Sequence, residues 1–188
     1  MKYSPYTNKS RGFTLVETMV AISIMSLSLL GIFTAVQNGL VSSGFAKDQT
    51  IAFYLIQETM EYVRNVRDTN GLRSVGEMSA GRSGINWLTG IAFQATDPCY
   101  PGKTCIIDSP NMQVTTCSGG FGTCPYLRQD SSTLFFGYNG GWNTTRFRRE
   151  VQIQSISSNE IIVLVQVSWT SGIFNKSILV KQTLFNVR

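Results

Sequence analysis

Arg11-Gly12-Phe13-Thr14-Leu15-Val16-Glu17 marks the point where a short polar head gives way to an apolar run. From Phe13 to Ala46 the only ionisable side chain is Glu17. The segment 13–36 is long enough to span a bilayer, since roughly 20 apolar residues cross a hydrocarbon core of about 30 Å. A carboxylate inside such a segment is expensive, on the order of 2.5–3.5 kcal/mol for a central acid, unless a cation neutralises it. The fold therefore begins with a lipid-length helix whose first turn asks for a positive partner.

The flanks set the orientation. Lys2, Lys9 and Arg11 precede the run with no acid among them, so the positive-inside rule keeps the head in the cytoplasm and sends the rest outside. A secretory signal fits poorly. Its apolar core normally spans about 7–15 residues, whereas this run is longer and opens on an acid.

Gly12-Phe13-Thr14-Leu15-Val16-Glu17, behind a basic leader and ahead of a membrane-length helix, resembles the processing site of the type IV pilin superfamily, which includes major and minor pilins and type II secretion pseudopilins. The resemblance is close from Arg11 to Val36 and architectural beyond. It implies cleavage by a prepilin peptidase between Gly12 and Phe13, N-methylation of Phe13, and assembly with other pilin or pseudopilin subunits on an inner-membrane platform. Glu17 would then meet the Phe13 amine of a neighbouring subunit. The residue types suit those tasks. Gly12 presents no side chain to a protease cleft, and two opposite charges leave water tolerably only as a pair. The new amine lies near Glu17, four residues along one helical face. Leu29-Leu30-Gly31-Ile32-Phe33 and Ala52-Phe53-Tyr54-Leu55-Ile56-Gln57-Glu58 are similar to minor pilins of the pilus-priming kind and their secretion counterparts.

Past the apolar run, Ala52, Ile56, Met60, Val63 and Val66 recur at helical spacing, a stripe suited to packing on a folded head. Asn70-Gly71 reads as the C-terminal cap. Gly31, Gly39 and Gly44 interrupt the helix, with no proline between Gly12 and Gln94. They either loosen it or let neighbouring helices approach closely.

The expected organisation is leader 1–12, transmembrane and assembly helix 13–36, amphipathic helix 37–70, cysteine-containing loops 71–132 and antiparallel sheet 133–188. The middle is rich in Gly, Ser, Thr and Asn without a sustained period. Cys99, Cys105, Cys117 and Cys124 all fall there. Outside the cytoplasm they are disulfide candidates. Four thiols allow three connectivities, among which the two short loops, Cys99 with Cys105 and Cys117 with Cys124, are favoured here. Metal-site pairs need tighter C-x₂₋₄-C spacing, so no metal or other cofactor is expected.

The last third alternates with period two. Phe147, Val151 and Ile153 share one face, as do Ile161, Val163, Val165, Val167 and Trp169, and then Ile178, Val180 and Leu184. Ser157-Ser158-Asn159 and Ser171-Gly172 mark the reversals, and Leu134–Tyr138 is read as a fourth strand. A sheet of this kind buries one face, and the stripe after Ala52 is its cover. The fold class is α+β, matching the pilin fold that the resemblance implies.

Enzymatic chemistry has little footing. The chain has no His, the commonest general base, and no P-loop or dinucleotide-binding glycine pattern. The formal net charge of +5 includes three leader cations, so it argues weakly for nucleic acid. Arg146, Arg148 and Arg149 read as a solvated strand edge kept soluble by charge. The competing function is a membrane-anchored extracytoplasmic adhesin that is never processed.

Overall fold

The computed structural model describes residues 12–186. The leader cations Lys2, Lys9 and Arg11 lie outside the described residues. One helix, α1, runs Leu15–Ser79. The chain divides into two units, Met1–Ala46 and Lys47–Arg188.

In the first unit α1 is apolar all round, and every large apolar side chain from Phe13 to Val41 is exposed. Four of the hydroxyls that interrupt it are satisfied within the helix. Thr18 donates to the Leu15 carbonyl, Ser23 to Met19, Ser28 to Ile24 and Thr34 to Leu30, at 2.8–2.9 Å. Such back-bonding is what a hydroxyl needs where no water is available.

In the second unit α1 becomes one-sided. Ala52, Leu55, Ile56, Met60 and Val63 are buried, with Val66 packed against the cluster at its edge. The helix does not stop at Asn70-Gly71 as expected from the sequence. Asn70 is buried, and its side-chain amide donates to the carbonyls of Trp87 and Thr89 at 3.3 and 3.0 Å. It ties a following turn to the helix, so its capping chemistry is committed elsewhere. The true end is a Schellman motif. Gly81 adopts φ +74°, its N–H donates to the Met78 carbonyl, and the Arg82 N–H donates to Glu77.

The cover of α1 is an antiparallel sheet. Its long strands are β6 (Phe147–Ser157), β7 (Glu160–Ser171) and β8 (Phe174–Phe185). The expected inner face holds: Phe147, Val151, Ile153, Ile161, Val163, Val165, Val167, Trp169 and Leu184 are all buried. Phe147 stands opposite Trp169 with ring centroids 6.2 Å apart. The reversals fall at the expected serine-rich and Ser-Gly turns.

The middle of the chain is more ordered than its composition suggests. β1 (Thr104–Asp108) and β2 (Gln113–Thr116) form a hairpin on the far side of β6, giving the order β2-β1-β6-β7-β8. β1 is buried at every position, so no period-two signature exists to read. The stretch expected as a strand at Leu134–Tyr138 does not join this sheet. Only Phe136–Gly137 (β4) is extended, in a separate sheet with β3 (Arg128–Gln129) and β5 (Asn143–Thr144). The preceding turn breaks the run. Asp130 accepts from the hydroxyls of Ser132 and Thr133 at 2.8 and 2.7 Å, and Leu134 takes φ 61°. Those bonds, led by that from Thr133, hold the Asp130 carboxyl down to about 2.

The three arginines expected as a solvated edge are not one. β6 is an interior strand, and Arg149 is fully buried on the inner face. It pairs with Glu58 of α1 at 2.8 Å and donates to the Leu55 and Ile107 carbonyls. Arg146 pairs with the buried Asp48. A guanidinium enters a core only with such partners, and these join helix, hairpin and sheet.

Candidate functional site

At the junction, Gly12, Phe13 and Thr14 are non-helical and exposed, and α1 starts at Leu15. Thr14 is the N-cap. Its hydroxyl accepts from the Glu17 N–H at 3.3 Å, and its carbonyl accepts from the Thr18 N–H at 3.2 Å. Thr14-Leu15-Val16-Glu17 is thus the T-x-x-E pattern of a capping box, a signal readable in the sequence beside the charge of Glu17. Glu17 sits in the first turn, where the helix dipole favours an acid. Phe13 precedes the helix while Gly12 is still attached to it. The shared helical face expected for Phe13 and Glu17 is therefore absent in the uncut chain, because the Thr14 cap ends the helix between them.

Two features of this site bear on function together. The peptide bond between Gly12 and Phe13 lies in exposed, non-helical chain. Directly behind it stands a helix whose apolar surface is unburied throughout the membrane-length window. Residues 7–33 match the family model described as the prokaryotic N-terminal methylation motif.

That motif, together with a long apolar helix, is consistent with a type IV pilin-like protein.

No curated protein and no solved structure matches it. In a pilin-like protein the motif implies processing by a prepilin peptidase and assembly with other pilins. It points to a structural subunit, and the apolar helix behind it to an inner-membrane, single-pass anchor.

The other residues singled out from sequence lie in the second unit. Cys99 is bonded to Cys105 and Cys117 to Cys124, with Cα separations of 5.2 and 5.3 Å. The first bridge is buried within the core cluster. The second closes a surface loop whose Cys117 end is half-exposed. Glu150, fully buried, fastens that loop by accepting from the N–H groups of Gly122 at 2.8 Å and Cys124 at 3.0 Å. All four sulfurs are bridged, so none is a thiolate for nucleophilic attack or metal binding.

Proposed function

We propose that this pilin-like chain is a minor pilin or secretion pseudopilin, a structural subunit of an envelope-spanning filament. The peptidase cuts between Gly12 and Phe13 and Phe13 is methylated. The helix is held in the inner membrane with the Lys47–Arg188 unit outside the cytoplasm. On assembly, Glu17 pairs with the Phe13 amine of the adjacent subunit and sets axial register. The observation that carries this reading is the methylation motif at residues 7–33 together with a helix whose membrane-length window has no buried side chain. A surface of that kind requires lipid or other apolar helices. The paired cysteines support an oxidising compartment for the second unit.

Intact-mass analysis of the protein from membranes tests it. The expected species begins at Phe13 and carries one added methyl group. A species beginning at Met1 would favour the unprocessed, membrane-anchored adhesin instead. The register pair has its own test. Glu17→Gln keeps a side chain suited to the helix start but removes the charge. Membrane insertion should persist while recovery in sheared filaments falls. Unchanged incorporation would remove the pairing.

A further inference from the structure

On the face of the sheet away from α1 there is a cleft of about 290 Å³, at the small end of the roughly 300–1,000 Å³ typical of ligand sites. Its floor is the cross-strand row Arg148, Ser168 and Ser177, side by side on β6, β7 and β8. Its wall is the bridged loop, contributing Phe121 and Gly122, with Tyr126 just beyond it.

This wall is built rather than draped. The buried Glu150 carboxylate holds the loop from beneath through Gly122 and Cys124. Gly122 adopts φ +96°, open to glycine and strained for other residues. Arg148 donates to the Gly122 carbonyl. The result is a guanidinium held over an aromatic ring, 4.4 Å from the Tyr126 centroid.

The chemistry of the lining is uneven in an informative way. Arg148 and Lys176 supply two cations, and no Asp or Glu lines the cleft. The Arg148 Nε–H is buried without an acceptor. Arg148 as a whole is half-buried, and a guanidinium gains from an anion placed against it. The remaining polar lining is neutral: Gln166, Ser168, Thr170, Asn175 and Ser177. Those amides and hydroxyls both donate and accept, the requirement of a polyhydroxylated ligand. Phosphodiester recognition is made instead with many cations. The aromatic edge offers an apolar surface of the kind that small-ligand pockets combine with a few placed polar groups.

We propose that this cleft binds an acidic saccharide. The sugar carboxylate lies against Arg148, the ring hydroxyls meet the neutral amides and hydroxyls of β7 and β8, and the apolar ring face rests on Phe121 or Tyr126. The site is independent of the filament reading, because it uses only residues of the Lys47–Arg188 unit.

Saturation-transfer NMR on the detergent-solubilised full chain tests it, with D-galacturonic acid, D-galactose and inorganic phosphate as probes. Galacturonic acid should give saturable transfer, with galactose on the order of tenfold weaker, the worth of about 1.4 kcal/mol. Phosphate at equal concentration should not displace it. Arg148→Gln should abolish the signal. Because Arg148 also holds Gly122, Ser168→Trp serves as a second variant that fills the floor from the solvent side, and it too should abolish binding. Four results overturn the proposal: no transfer at about 10 mM, weaker than ordinary millimolar recognition; equal binding of galactose; displacement by phosphate; or undiminished binding in Ser168→Trp.

Discussion

Arg149 brings a guanidinium into a layer otherwise made of Val151, Ile153, Val163 and Val165. It is tolerated because Glu58 and two carbonyls meet it. Removing one partner of a buried pair strands the other, whereas exchanging both for apolar groups is often neutral. Glu58→Ala should therefore destabilise the protein by roughly 2 kcal/mol, below the usual range because Glu58 is 37% exposed. In thermal melts this is a fall of several degrees. The double variant Glu58→Gln, Arg149→Met should recover most of the loss. Equal melting of Glu58→Ala and the parent would mean that water replaces the carboxylate. Tyr138 lies against the same network, its hydroxyl donating to the Arg149 carbonyl at 3.2 Å. Burial pushes its pKa up to about 12, against the pull of the Arg149 guanidinium. A raised folded-state pKa stabilises fully below the unfolded value near 10 and loses that stability as pH rises toward about 12. Stability should fall across pH 10–12, and Tyr138→Phe should flatten that part of the curve. Parallel profiles for parent and variant would show that other groups set the slope.

Among elements, the two disulfides do different work. Cys99–Cys105 lies in the core cluster and anchors the start of β1. Cys117–Cys124 closes the surface loop over Glu150. Exchange requires access for an attacking thiolate. Mild reductant followed by alkylation should therefore label Cys117 and Cys124 first, with Cys99 and Cys105 labelled only on unfolding. Simultaneous labelling would contradict the burial difference. Cys117→Ser with Cys124→Ser should cost about 2 kcal/mol by loop closure. The same elements show why part of the chain was hard to read. A strand with one wet face alternates, and β7 does so at Ile161, Val163, Val165 and Val167. A strand buried on both faces, such as β1, has nothing to alternate against. Asn70 misled for a related reason: Asn-Gly is a stop signal only where no tertiary partner claims the amide.

At the scale of the whole molecule, the first unit is an apolar surface with four of its hydroxyls turned back onto its own carbonyls. Ile24→Lys with Leu27→Lys adds on the order of 5–7 kcal/mol to insertion. That pair should move the protein into the alkaline-extractable fraction, whereas Ile156→Lys, at an exposed apolar residue of the other unit, should not. Retained membrane integration of the double variant would mean that lipid is not what holds the segment. The sequence by itself determined the junction at Gly12–Phe13, the apolar helix, the stripe from Ala52 and the three long strands. Each rests on local periodicity or on one charge in an apolar run, which neighbouring residues suffice to express. Tertiary structure alone decided the continuation of α1 to Ser79, the entry of β1 and β2 into the sheet, the second small sheet and the burial of Arg149. These depend on partners such as Asn70 with Trp87, or Glu58 with Arg149, that lie 17 and 91 residues apart. Hydrogen-bond and charge satisfaction across such separations leaves no periodic trace along the chain.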